Sequence, residues 1–272
     1  RDRTRGRFTD TARRRQSGNW AGFGVGRCVT CGCGVGATTV KRLRVQFTKH
    51  GKVRWISHRD IARAWERAIR RTGLQLAYTE GFSPRPKMSF GLALPTGAES
   101  DAEYLDLELA APGHGLELAV PGRAVDLTAL SDALPVGIDC VDAAWSDGEP
   151  SLQEDVVACG WRFALDAAYD RNLVRERVAE FVAATSCELT IERKGGTRRD
   201  DARPLVDELK VVDDDVVAVV RVVPWALRPS ELLNLVALEP SRVLVRRTHQ
   251  WREREGRRIE PLTRAPERDV LA

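Results

Sequence analysis

No stretch of this 272-residue chain strings together the roughly 20 apolar residues that a membrane-spanning helix requires. The arginine-rich start also lacks the apolar segment of a secretory signal, so the expected location is the cytoplasm, with no membrane partner. Charge of one sign is missing too: 43 basic residues face 39 acidic ones, and a net of +4 gives no whole-molecule field that would define a partner. The placing of the charges matters more than their sum. There is no Walker loop, no GxGxxG after a strand, no HExxH and no CxxxCxxC cluster, which argues against the common nucleotide, zinc-hydrolase and radical chemistries as activities of this chain.

Six cysteines are present. Cys140, Cys159 and Cys187 sit among apolar neighbours, where a reduced thiol behaves as a small hydrophobe. Cys28, Cys31 and Cys33 form a CxxCxC cluster, but a tetrahedral metal needs a fourth ligand and none stands nearby. No metal or cofactor is expected. Residues 1–39, rich in arginine and glycine without either hydrophobic period, are read as a disordered or misassigned leader, because a folded pattern starts abruptly at Val40.

The most informative stretch runs from Ile56 to Phe90. Ser57 followed by Asp60 is a helix-start signal: the hydroxyl takes an orphan amide and the carboxylate favours the positive helix end. Ile61, Ala64, Trp65, Ala68 and Ile69 then recur at helical spacing, leaving Arg59, Arg63, Arg67, Arg70 and Arg71 off the apolar stripe. Gly73 ends the helix, and Leu74, Leu76 and Tyr78 change the period to two. In Gly81-Phe82-Ser83-Pro84-Arg85-Pro86-Lys87 the prolines fix their own φ and bias their predecessors toward extended backbone, which predicts a stiff basic loop.

Alternating segments at 40–49, 88–94 and 103–109, helical spacing at 127–134 and a strand near 138–141 give the order β-α-β-β-α-β over residues 40–147. The acidic-apolar alternation of 103–109 predicts a half-solvated strand. Ser146 to Ser151 reads as a linker. Residues 152–249 repeat the order, with a basic hairpin tip at 193–199, one or two strands around Asp213-Asp214-Asp215, a helix from Pro229 and a last strand at Val243-Leu244-Val245. The expected fold is α+β, with two tandem ferredoxin-like (βαββαβ) halves and a flexible tail over 250–272.

At SHRDIARAWERAIRRTGLQLAYTEGFSPRPKMSFGLALPTGAESDAEYLDLEL the chain resembles the DUF2344, or radical SAM-linked, family of bacterial proteins. The resemblance is carried by Ser57, His58, Asp60, Arg63, Glu66, Arg67, Arg70, Arg71, Tyr78, Glu80, Gly81, Phe82, Pro84, Pro86, Lys87, Pro95, Gly97, Glu99, Ser100, Glu103 and Tyr104. It continues more loosely through Arg203-Pro204-Leu205-Val206, Arg228-Pro229-Ser230-Glu231-Leu232 and Arg246-Arg247-Thr248, covering about residues 40 to 250. Arg59 and Ser83 stand where leucine and asparagine are usual. The resemblance implies a radical SAM protein as partner.

Three functions are compatible with these residues. Arg63, Arg67, Arg70, Arg85 and Lys87, with Tyr78 and Phe82 for stacking, suit RNA, either tRNA or rRNA. His58 with Glu80 suits acid-base chemistry in an RNA-processing enzyme. A docking module for a radical SAM enzyme needs only an exposed strand or loop, such as 103–109 or the loop at Arg85. The reading that joins most of these features is a non-catalytic accessory protein that binds RNA.

Overall fold

The computed structural model describes residues 41–110, 125–146, 148–193 and 196–262. The expected leader, with Cys28, Cys31 and Cys33, lies outside the described residues. The fold is α+β, built on one large mixed sheet with few helices.

Strand β1 (Lys41–Lys49) is followed by a 3-10 turn at Gly51–Trp55 and then by α1 (His58–Thr72). Ser57 caps α1 as its position predicts: its Oγ accepts the Asp60 amide at 3.2 Å and donates to the Asp60 carboxylate at 2.7 Å. Gly73 closes the helix at φ +73, in the left-handed region where a side chain would be strained. Next come β2 (Met88–Phe90), β3 (Glu99–Leu109), α2 (Leu127–Ala133) and β4 (Cys140–Trp145). The short α3 (Leu152–Asp155) leads into β5 (Val156–Leu165), α4 (Arg171–Ala183) and a separate hairpin of β6 (Glu188–Arg193) and β7 (Gly196–Asp201). Then follow β8 (Val206–Val212), β9 (Asp215–Arg221), α5 (Pro229–Leu235), β10 (Val243–Arg254) and β11 (Arg257–Ile259).

The sheet runs β4-β1-β3-β10-β5-β9-β8, with β2 beside β3 and β11 beside β10. Every pairing in it is antiparallel except β3 with β10. That parallel seam joins the two halves through only Arg246 opposite Glu99 and Arg247 opposite Ser100. Each half has its own core. In the first, the stripe Ile61, Trp65, Ala68 and Ile69 of α1 packs on Leu43, Val45, Phe47, Leu105 and Leu107, with the Trp65 and Phe47 rings edge to face at 5.1 Å. In the second, Val174, Val178 and Phe181 of α4 and Leu232 and Leu233 of α5 cover Cys159, Phe163, Val216, Ala218 and Val220. Helical periodicity was legible in both because it is local.

Two expectations fail for the same reason. The strand at 103–109 is buried on both faces, not half-solvated: Tyr104 packs with Leu152 and Leu262 and sets its Oη on the Glu260 carboxylate at 2.5 Å, while Asp106 is 3% exposed. The tail expected from residue 250 is instead strand through Arg254, a turn and β11. The segment that covers the back of the sheet is the segment that was read as frayed. Its Arg-Glu composition looks solvated only if its partners are unknown: Arg252 meets Glu149 at 2.8 Å and Arg254 meets Asp155 at 2.6 Å. The same Glu149, in the expected linker, also reaches the wholly buried Arg44, which grips Asp106 through Nε at 2.7 Å and Nη2 at 3.0 Å.

Candidate functional site

The α1 arginines emerge where helical spacing places them. Arg59, Arg63, Arg67, Arg70 and Arg71 are exposed. Arg63 lies 3.4 Å from Asp60, Arg70 donates to the Glu66 carbonyl at 3.2 Å, and Arg71 to the Ala133 carbonyl at 3.5 Å. Arg67 meets no carboxylate among the described residues. The proline-braced loop is a narrow hairpin: the Thr79 amide donates to the Arg85 carbonyl at 2.9 Å, the Arg85 amide to Thr79 Oγ1 at 3.0 Å, and the Lys87 amide to the Ala77 carbonyl at 2.8 Å. Tyr78 bridges Pro86 across it. Its base is tied to β3, with the Ala77 amide on the Glu108 carbonyl at 2.8 Å and Lys87 Nζ on the Glu108 carboxylate at 3.2 Å. At its outer end Phe82 is fully exposed and Tyr78 is half exposed. Arg85 is exposed and meets no carboxylate among the described residues, whereas the charge of Lys87 is already engaged.

The proposed acid-base pair does not assemble. His58, exposed at the first turn of α1, sets its ring edge-on to Phe90 at 4.8 Å. Glu80 is exposed in the hairpin, and no hydrogen bond or ion pair joins the two among the described residues.

Sequence reasoning missed a second constellation, at the parallel seam. Glu99 of β3 is 5% exposed and accepts from the Gly51 amide at 2.8 Å and Arg246 Nη2 at 2.8 Å, with His50 at 3.5 Å and Arg54 at 3.5 Å. Burial alone would raise its pKa, but these donors outweigh it and hold the carboxyl at about 2. Arg247, 1% exposed, reaches from β10 to Glu103 of β3 with Nη2 at 2.6 Å and Nε at 3.1 Å, and also donates to the Leu92 carbonyl at 2.8 Å. Its guanidinium lies 5.5 Å from the Trp161 ring centroid. Beside this pair, Lys49 is buried and its pKa is lowered, first by loss of water and further by the Arg247 charge, against the pull of Glu103. Burial likewise pushes the Cys159 thiol up to about 11, despite the nearby Arg247 guanidinium. Cys159 is therefore an inert core thiol, and Cys140 and Cys187 are also unbridged.

Outside the buried pair opens a cleft of about 1590 Å³, walled by the loop 92–98, strands β5 and β10, the start of β7 and the segment 225–230. Three tryptophans line it: Trp55, Trp161 and Trp225. So do Arg54, Arg198, Arg228, Arg242 and Arg247, against a single acid, Asp166, which Arg242 meets at 3.5 Å. Pro95 and Gly97, the Arg228-Pro229-Ser230 run and Arg247, far apart in the chain, all reach this one cleft. Only that convergence would have revealed it, and it is a property of the folded sheet. Among the described residues no cluster of three or more potential metal ligands occurs, and no helix is long and apolar enough to cross a membrane.

Comparison with known families gives one result that agrees with the motif at 57–104. The model of a family described as an uncharacterized protein conserved in bacteria (DUF2344) matches residues 42–237. No curated protein matches the chain.

Proposed function

The chain belongs to the DUF2344 family of uncharacterized bacterial proteins, and from that footing we propose that it is an accessory, substrate-binding component of a radical SAM-linked system whose substrate is RNA. The observation that carries the RNA reading is the pairing of a cationic helix with a braced aromatic hairpin. Five exposed arginines on α1 share that helix with only Asp60 and Glu66. A few residues further along the chain, Tyr78 and Phe82 stand exposed on a hairpin whose own hydrogen bonds hold it in shape. Phosphates favour such arginines through counterion release, and bases favour such rings through stacking. A hairpin already ordered before binding loses little further entropy on contact.

The architecture fits this reading. We take each half as a ferredoxin-like unit, supported by the strand orders β4-β1-β3-β2 and β10-β5-β9-β8 with antiparallel pairing inside each half. The partner implied by the resemblance, a radical SAM protein, supplies the chemistry, and this chain supplies the grip on RNA from a cytoplasmic location. His58, edge-on to Phe90 and apart from Glu80, is assigned packing at the helix start and no proton transfer.

The test is a titration of the full chain with labelled total tRNA at several salt concentrations, alongside an Arg63→Glu, Arg67→Glu, Arg85→Glu variant. All three positions are exposed, so the variant is expected to fold. Wild-type affinity should fall steeply with salt, and the variant should bind about 10-fold or more weakly with a shallower slope. Equal binding by the two proteins, or affinity indifferent to salt, would remove this surface from RNA recognition and favour a protein-docking role for the hairpin.

A further inference from the structure

The helix and hairpin do not account for the cleft, whose chemistry is different. We infer that it seats a short unpaired stretch of RNA, with bases stacked on Trp55 and Trp225; this rests on the RNA reading above but places a second contact on another surface.

Trp55 carries the argument. The side chain is 63% exposed on the cleft, although a tryptophan is ordinarily well buried. It is nevertheless held. Its ring lies so close to Gly97 that a Cβ there would meet Cζ3 at 2.8 Å, and Gly97 sits at φ +89, a conformation that side chains rarely adopt. The Arg54 guanidinium lies 5.2 Å from the same ring. Trp225, also in the lining, is half-buried against the second core with Arg198 5.7 Å away. Two indoles backed by protein, each with an arginine beside it, combine a stacking surface with a cation for the adjoining phosphate.

Size and charge select the occupant. At about 1590 Å³ the cleft exceeds the roughly 300–1,000 Å³ of a pocket for one small molecule, which favours a segment of a polymer. Five arginines against one acid among the described lining residues favour a polyanion over a peptide as that polymer. Two of the lining cations, Arg198 and Arg242, are available to an anion. Arg198 pairs with Asp200 and Arg242 with Asp166, but their side chains are 58% and 41% exposed, and pairs that open to water are held weakly. A phosphate can replace those carboxylates at small loss. Arg247, fully engaged with Glu103, is a wall of the site and not a phosphate ligand.

The experiment measures binding of labelled octauridylate, with the DNA octamer of matching sequence as a second probe, to the full chain and three variants. Trp55→Ala removes an exposed ring, Arg198→Glu reverses an exposed charge, and Arg63→Glu with Arg67→Glu alters the helix. Circular dichroism verifies that each is folded. Trp55→Ala and Arg198→Glu should each weaken octauridylate binding about 5-fold or more, and Trp55→Phe should restore most of what Trp55→Ala loses. Preference for the RNA over the DNA octamer supports RNA as the natural strand; a preference for DNA overturns that assignment. Unchanged affinity in both cleft variants, with loss in the helix variant, overturns the cleft inference and leaves the helix reading standing. No binding by wild type at low salt overturns both.

Discussion

Replacing Arg247 by methionine removes the one fully buried cation that ties the two halves of the sheet together. The backbone seam contributes two residue pairs, Arg246 with Glu99 and Arg247 with Ser100, so side chains carry an unusual share of its cohesion. Methionine keeps much of the length and apolar stem of arginine but leaves Glu103, 8% exposed, facing neighbours without its bidentate donor, and deprives the Leu92 carbonyl of its 2.8 Å hydrogen bond. Breaking a buried pair from one side costs about 3–5 kcal/mol. Buried Lys49, whose charge Glu103 favours, remains nearby and moves the expectation toward the lower bound. Urea unfolding followed in parallel by tryptophan fluorescence and far-ultraviolet circular dichroism measures the loss. With Glu103→Gln added, the double variant should be less destabilised than the two single changes summed, with a coupling of about 1–3 kcal/mol. Noncoincident transitions in the single variant would show the halves unfolding separately. A destabilisation below about 1 kcal/mol with additive singles would refute the role given to this pair, since an exposed ion pair contributes that much.

Three further outcomes follow from named geometry. Gly97→Ala should cost about 1–3 kcal/mol, because it combines a positive φ with a clash against Trp55, whereas Gly51→Ala, at φ +68 with nothing within 4 Å of its Cβ, should cost less; urea midpoints of the two variants decide. Ser57→Ala should cost about 1 kcal/mol through loss of the α1 cap, and an unchanged urea midpoint would mean that the Asp60 amide is satisfied without it. Glu99 has a folded pKa of about 2 against its ordinary 4.5, so the stability it contributes is complete above pH 4.5 and is lost as the pH falls toward 2. Glu99→Gln should therefore be less stable than wild type at pH 7 and show a shallower fall in thermal midpoint between pH 5 and pH 3; parallel curves would contradict the assignment.

What was legible in the sequence divides along the distance over which a signal acts. Ser57 with Asp60, the α1 stripe and Gly73 are local: each is fixed by neighbours within a turn or two, and the structure shows cap, helix and stop where they were expected. A hairpin after β6 was legible for the same reason, although β7 occupies most of the expected tip at 193–199, and the segment around Asp213-Asp214-Asp215, read as one or two strands, forms two. The alternation at 103–109 failed because period two identifies two faces without saying what covers them. The acidic face was taken for solvent, yet Asp106 meets Arg44, and Glu103 on the opposite face meets Arg247. A charged residue buried with its counterpart has the same sequence signature as one in water.

That limit also explains the cleft, and it bears on where the RNA reading should be tested first. The helix arginines could be enumerated from spacing alone, but spacing says nothing about whether an exposed charge meets a ligand or only water. Trp55 ends a short alternation with Val53 and Trp225 stands in VPWALRP, which has no period, and neither carries a sequence signal of a ligand. Folding changes their weight. Trp55 is set against Gly97, Trp225 against the second core, and arginines from separate segments line the same cleft. An arginine-rich helix costs little to keep exposed, whereas an open indole backed onto a left-handed glycine combines apolar exposure with a demanding backbone conformation. The second arrangement therefore carries more information about a ligand than the first. Trp55→Ala should for that reason lower affinity for octauridylate by a larger factor than Arg63→Glu when both are measured at 150 mM salt, where contacts that depend on screened surface charge weaken and stacking persists. The reverse ranking would return the principal contact to the helix.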